Sequence, residues 1–437
     1  MSQKSIPIQV ILFTFSLNCS LLAQEQKVVS DTWIIKNENK DYIARHECSF
    51  VQAGEKFIMF GGRESAQTLN MYDYKTNTWS VGASAPKEFN HFQATAYKGF
   101  VWVIGSFKTN NFPKEIPADN IWLYHIPSDR WIKGPEIPEN RRRGGAGLVE
   151  YKDNFYVIAG NTRGHDGGYV KWFDQYDPFK NTWIKLEDAS EARDHFHAAV
   201  IGDKLYAAGG RRSGGEGGVF GPLPKPVDVY DFNTKEWSVL KEGIPTPRAA
   251  PGTAVFNGEL LLMGGEGESP GPAYQLVEAY NPQTDVWSQK ADMNFPRHGT
   301  QTIVSGNGVY ITGGSPVRGG GSQRNMEVYN EDAPAGIALI ASTLSTAKKC
   351  KIKAGKAEKI VLKCEGGNTA SFISEIKLEG ENTDNFEVGT DLNFRLINTG
   401  NEVFFKVKHV GNKKNDQAKL TIIYNGGSTE SVVLTSK

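Results

Sequence analysis

The chain has 437 residues, with 49 Lys and Arg against 49 Asp and Glu, a formal net charge of zero and a pI near 7.1. That length suggests two or three domains. A neutral chain lacks the basic footprint of a general nucleic-acid binder, so nucleic acid is not an expected partner.

The first element is an apolar run from Ile6 to Leu17 after Lys4, followed by Leu21-Leu22-Ala23-Gln24. It reads as a secretory signal peptide over residues 1–24, too short to span a bilayer. The alternative is a buried N-terminal strand. Cys19 stands where a lipid-bearing cysteine could, but Ser16-Leu17-Asn18 is a poor signal for attachment. No other stretch could cross a membrane, so a secreted, periplasmic or cell-surface location is expected.

From residue 25 to residue 332 the chain repeats. Tryptophans fall at 33, 79, 131, 183, 237 and 287, a spacing near fifty. Five of them follow a tyrosine by seven residues: Tyr72/Trp79, Tyr124/Trp131, Tyr176/Trp183, Tyr230/Trp237 and Tyr280/Trp287. A sixth tyrosine, Tyr329, has no tryptophan after it, and Asp31-Thr32-Trp33 supplies one from the other end. That split predicts a ring closed by its own first strand, which removes exposed sheet edges. Each unit reads as four strands, with a hairpin such as Asn257-Gly258 and a glycine pair such as Gly209-Gly210. Tyrosine and tryptophan are expected to fill the wedge between units rather than to stack on a ligand.

An arginine opens most units, at 45, 143, 193, 248 and 297. Each precedes the first residue of the glycine-like pair by 16 positions; Phe89 holds the equivalent place in the second unit. The first two strands of a unit are antiparallel, so the arginines and the loops after the glycine pairs share one face. Those loops vary from 10 to 20 residues between the second glycine-like position and the tyrosine. Long, uneven loops on a rigid scaffold are where function concentrates.

The repeat resembles the kelch-repeat family, six-bladed β-propellers of the galactose oxidase/kelch superfamily, over about residues 28–332. Gly105-Ser106 and Ala159-Gly160 depart from the pair. The resemblance implies partner binding at the arginine face, through Arg45, His46, Arg143, Arg193, Asp194, Arg211, Arg248, Arg297 and Arg318. Asn90, His91, Arg63, Arg212, Glu266, Ser315 and His298 lie nearby in sequence. A surplus of guanidinium would favour an anionic ligand. The alternative is that each arginine bonds backbone or an acid of a neighbouring blade. The partner expected is therefore a protein or a glycan, an anionic one if guanidinium is in surplus, and the chain reads as a binding protein rather than an enzyme. A sugar-processing activity like that of sialic-acid mutarotases is the runner-up, with Glu266, His195 and His298 as general acid/base candidates. A structural adhesin is the third reading.

No metal or cofactor is expected. His195 and His197 share a strand face, which is too little for zinc without a further ligand. The copper centre of the superfamily's oxidases needs a tyrosine joined to a cysteine, and the propeller offers only Cys48. The glycine clusters at 214–218 and 319–321 lack the Lys-Ser ending of a phosphate loop.

Residues 333–437 change character. Tryptophan vanishes, lysine rises, and alternating strands follow at 359–362, 373–378, 403–407, 418–424 and 431–434. This fits an immunoglobulin-like β-sandwich, read as a spacer without a ligand of its own. Cys350 and Cys364 are placed to form a disulfide in an exported protein. The predicted architecture is thus all-β: a six-bladed propeller closed at Trp33, followed by a sandwich.

Overall fold

The computed structural model describes residues 29–36, 40–389 and 391–437. The signal-peptide reading of residues 1–24, and Cys19 within it, lies outside these residues. Among the described residues regular structure is strand, with four short 3-10 turns and no α-helix.

Six four-stranded antiparallel sheets occupy residues 33–330. Blade 1 consists of Cys48–Ala53, Lys56–Gly61, Leu69–Asp73 and Thr78–Gly82. The inner strands of blades 2 to 5 are Ala94–Tyr97, Gly147–Tyr151, Ala198–Ile201 and Gly252–Phe256. Blade 6 begins at Thr302–Ser305 and takes its outermost strand from the other end of the chain. There Trp33–Lys36 runs antiparallel to Met326–Asn330, with Trp33 opposite Tyr329. The inner strands pack in succession around an axis, and Thr302–Ser305 returns against Cys48–Ala53. This is a closed β-propeller.

The tyrosine–tryptophan repeat has a physical basis. Each pair lies directly opposite on the two outer strands, as in Tyr72 with Trp79 and Tyr280 with Trp287. The turn between them needs one left-handed residue two places before the tryptophan: Asn77, Asp129, Asn181 and Asp285 have φ of 53°, 52°, 53° and 56°. Asn and Asp tolerate that conformation best after glycine. The tyrosine hydroxyl then donates to that side chain, at 2.8 Å for both Asn77 and Asp285. Several indole N–H groups reach a carbonyl of the preceding blade, as Trp33 does to Ala291 (2.8 Å) and Trp131 to Ala83 (2.9 Å). The aromatic set is framework, as expected.

The glycine pairs are also steric requirements. Gly62 has φ of 100°, and a Cβ there would stand 2.4 Å from the His46 carbonyl. The second strand of the blade must pass that close to leave the crowded axis.

The C-terminal residues form a four-stranded and a five-stranded sheet. All five strands expected from sequence lie within observed ones, among them Ala357–Glu365, Ser371–Glu379 and Gln417–Tyr424. Leu362 and Phe405 from one sheet share an apolar core with Ile373, Leu420 and Val432 from the other. Phe372 and Leu396 also join Phe100, Trp102 and Phe155 of the propeller in one cluster. The expected disulfide is not formed. Cys350 sits on a strand of the five-stranded sheet and Cys364 on the four-stranded one, and both thiols are free. Cys364 instead donates to Ser371 Oγ at 3.4 Å.

Candidate functional site

The constant interval of 16 residues is a hydrogen bond. Arg193 donates to the Gly209 carbonyl (2.7 Å), Arg297 to Gly313 (2.8 Å), Arg248 to Gly264 (3.1 Å), Arg45 to Gly61 (3.2 Å) and Arg143 to Ala159 (2.6 Å). Each guanidinium also meets an acid or amide on the third strand of its own blade. Asn70, Asp174, Asp228, Glu278 and Glu327 do this, each two residues before the blade's tyrosine. In blade 2 Phe89 replaces the arginine and Trp122 replaces the acid, their rings 6.3 Å apart. The sequence expectation that Arg45, Arg143, Arg193, Arg248 and Arg297 bear ligand is therefore corrected: all five are buried, point into their own blade and do not line the basin described below. A buried charge must be paired, and these pairs lock the third strand to the start of the first.

Two residues after each arginine position, the chain turns onto the axis. Here the N–H of His91 donates to the Glu47 carbonyl (3.1 Å), Gly145 to His91 (2.7 Å) and His195 to Gly145 (3.2 Å). Ala250 donates to His195 (2.7 Å), Gly299 to Ala250 (2.9 Å), and Cys48 closes the circle on Gly299 (3.3 Å). All six residues from Glu47 to Gly299 in this ring have left-handed φ, between 48° and 69°. Three are small. The other three, Glu47, His91 and His195, are bulky and titratable, which is uncommon in that conformation.

Above this ring, at the end of the axis where the inner strands begin, lies a basin of about 400 Å³. Every blade contributes: His46, Glu47 and Arg63 from the first, His91, Asn110 and Phe112 from the second, His165 from the third, Arg211 and Phe220 from the fourth, Glu266 from the fifth, and Gly319 from the sixth. Its charges are interlocked. Arg63 pairs with Glu115, which accepts from His165 Nδ1 (2.9 Å). His165 Nε2 then accepts from Arg211 (2.9 Å), and Arg211 pairs with Glu266. Glu266 also accepts from the Gly319 N–H (2.8 Å) and faces His298 Nε2 at 3.3 Å. Glu47 stands between His91 and His298, 3.6 Å from each.

These contacts set the protonation states. Burial, opposed by Glu115, pushes His165 down to about 4. Burial also pushes His91 well below the usual imidazole range, against the pull of Glu47. Burial alone would lower His298 too, but Glu266 and Glu47 raise it above its ordinary value. Burial would raise Glu47, yet His91, His298 and His195 hold it well below the carboxylate range. The same balance of burial against His165 and Arg63 places Glu115 at about 2. The site thus offers ionised carboxylates beside both neutral and readily charged imidazoles, an arrangement typical of functional sites.

Beneath the ring the axis is plugged. Gln93 accepts from the N–H of Leu148 (2.9 Å) and Ala198 (2.8 Å) and donates to Ala198 O (2.9 Å). Gln301 does the same for blades 1 and 2, accepting from Ser49 (2.6 Å) and donating to Ala94 O (2.8 Å). A second hollow of about 410 Å³ opens at the other end, lined by Thr95, Glu150, Val200, Thr253, Val255 and neighbours.

Of the residues expected on the ligand face, His46, Arg63, His91, Arg211 and Glu266 line the basin. Asp194, His195 and His298 lie just behind it. Asp194 is held by the Ser213 N–H (3.0 Å) and hydroxyl (2.6 Å) and bonds His195 Nδ1. Arg318 stacks its guanidinium on Phe220, 4.1 Å from the ring centre. Sequence reading missed Glu115, Phe112 and Phe220. They sit in the long loops, where no repeat register marks them. Glu47 does carry a signal: it occupies the position two after the arginine.

Comparison with known proteins agrees with the repeat. Residues 132–314 match a family model described as the KLHDC2/KLHL20/DRC7 Kelch-repeats domain. Kelch-like protein terF of Aspergillus terreus is 26% identical over 325 residues, covering 70% of this chain and 70% of that protein. Kelch-like protein 23 of Homo sapiens is 25% identical over 265 residues, covering 60% of this chain but only 44% of that protein. The chain thus spans less than half of that relative's length. The solved structure of YjhT superposes with a TM-score of 0.56 over 67% of this chain and 97% of that one, at 15% identity, which speaks to fold alone. Together these matches support a kelch-repeat β-propeller.

Proposed function

We propose that this kelch-repeat propeller is a binding module that engages a protein or glycan partner on its loop-bearing face. The central basin would take one polar group of that partner. Kelch propellers typically bind proteins, which supports the broad reading. The observation that carries the finer one is the basin itself. Its volume is in the range of small-ligand sites. It offers the exposed ring of Phe112 beside the Glu266 carboxylate and the His46 imidazole. An aromatic face beside a hydrogen-bond acceptor suits a sugar's C–H face and hydroxyls.

An anionic partner loses its support. Arg63 and Arg211 are each already paired, with Glu115 and Glu266. The test is a thermal-shift panel of neutral, amino, uronic, sulfated and sialic sugars on the full chain. A ligand that binds only the folded state raises the melting temperature by mass action. Neutral or amino sugars should shift it, and Glu266→Gln should lower that shift. A shift confined to acidic sugars would overturn this reading.

A second reading is favoured by one geometry, the Glu266 carboxylate 3.3 Å from His298. Such a pair could pass a proton to and from a bound sugar. Glu266→Gln would then abolish anomer exchange while leaving weakened binding measurable. No exchange by the unaltered chain would exclude it. We further place the protein outside the cytoplasm, from the apolar run at 6–17. We read residues 333–437 as an immunoglobulin-like spacer. Detection of the mature N-terminus near Gln24 in a secreted fraction would test the location.

A further inference from the structure

Three observations on the axial ring converge below the basin, independently of the partner proposed above. First, nitrogen atoms of His91, His165 and His195 all lie within 4.8 Å of one another. Second, two of these imidazoles have their Nδ1 edge already committed. His91 Nδ1–H donates to Asn90 Oδ1 (2.6 Å), and the Asn90 amide is fixed by donating to Glu88 O (2.9 Å) and Thr109 O (2.8 Å). His195 Nδ1–H donates to Asp194, itself held by Ser213. Their Nε2 atoms are left as acceptors. That of His195 has no hydrogen-bond partner although the residue is only 3% exposed. Third, the Glu47 carboxylate comes to 3.6 Å from His91 Nε2. Beside Glu47, His91 and His195 lies a small void of about 20 Å³, the size of one water or one ion.

A neutral imidazole whose other nitrogen is anchored on an oxygen is the standard way a protein prepares a metal ligand. A buried Nε2 lone pair with nothing to accept is otherwise a cost without return. The local charge agrees. Five carboxylates, from Glu47, Glu64, Glu115, Asp194 and Glu266, stand in and around the site against the guanidinium groups of Arg63 and Arg211. The backbone agrees as well. Glu47, His91 and His195 accept left-handed φ of 56°, 48° and 54°, where Gly145, Ala250 and Gly299 put small residues at the same position of the other blades.

We propose that His91 Nε2, His195 Nε2 and the Glu47 carboxylate form a site for one divalent transition-metal ion, with its open coordination position facing the basin. Zinc-class ions take two imidazoles and a carboxylate, at about 2.0–2.2 Å, and leave a fourth place for water or a ligand oxygen. His165 keeps its bonds to Arg211 and Glu115 and borders the site without being required.

The full chain is stripped with chelator, equilibrated separately with Zn(II), Co(II) and Mn(II), and its bound metal measured after desalting. One Zn(II) or Co(II) per chain is expected, and Co(II) should show the visible absorption of a low-symmetry nitrogen–oxygen site. His195→Gln and Glu47→Gln should each weaken binding by more than the about tenfold that loss of an outer-shell partner costs a metal site. His165→Ala should weaken it less. Should a variant fail to fold, stoichiometry and the Co(II) spectrum of the unaltered chain still decide. Substoichiometric metal with all three ions, or full binding retained in folded His195→Gln, would overturn the proposal.

Discussion

The two ends of the axial channel lie at opposite ends of the same six inner strands and differ in charge. The upper end holds His46, Glu47, Arg63, His91, His165, Arg211 and Glu266. The lower hollow, of nearly equal volume, is lined by Gln52, Thr95, Thr253, Val149, Val200, Val255 and neighbours, with Glu150 its one charged residue. Between them Gln93 and Gln301 tie neighbouring blades together and close the passage. Volume alone would not tell the ends apart. What distinguishes the upper one is that its side chains come from loops and from left-handed turn positions, which can vary without disturbing strand pairing. The lower one is lined by strand residues whose choice is governed by packing.

If that division is right, the largest effects belong to the framework both ends share. Arg297→Ala would leave Glu327 buried without its partner and should destabilise by about 3–5 kcal/mol in denaturant unfolding. An arginine held only for a ligand would instead leave the midpoint unchanged. A comparable loss is expected at the plug. Gln301→Leu strands the Ser49 hydroxyl and the Ala94 carbonyl, at about 1–3 kcal/mol for each unsatisfied group. It should leave basin binding as it was.

Acid probes the axis without mutation. His165 and His197 titrate at about 4 in the folded chain because burial disfavours their charge. Unfolded imidazoles take protons near pH 6.5. The unfolded state therefore binds more protons between those values, and stability falls as pH drops from about 6.5 to about 4. His298, with its raised value, works in the other direction: its contribution is present at low pH and is lost as pH rises through its folded value. All nine tryptophans precede residue 333. Tryptophan fluorescence in denaturant at pH 7 and pH 4.5 thus reads mainly the propeller, Trp102 also touching Phe372, and the midpoint should be lower at pH 4.5. The smallest effect belongs to the lower mouth. Thr253 has a buried hydroxyl without a partner, so Thr253→Val should change stability by less than about 0.5 kcal/mol. Binding should not change at all.

The propeller was legible because its repeat is enforced by geometry at each turn. Trp33 could be matched to Tyr329 across the whole propeller because a ring needs its last blade closed. The site was legible only in part. Arg45 and its equivalents were found by their constant interval, but an interval gives no side-chain direction. The missing clue was the acid or amide two places before each tyrosine, with Phe89 and Trp122 substituting together in blade 2. Glu115, Phe112 and Phe220 reach the axis from loops of unequal length, and no periodicity points to them. The supposed link between Cys350 and Cys364 failed because strand order within two facing sheets cannot be read from spacing alone.

The most direct test is hydrogen exchange on the full chain, with and without the sugar that gives the largest thermal shift. Protection is expected in the segments around His46–Glu47, Arg211–Ser213 and Glu266, with none around Gln93–Thr95 or Thr253–Val255. Protection of the lower segments while the upper ones exchange unchanged would place binding at the wrong end and contradict the account.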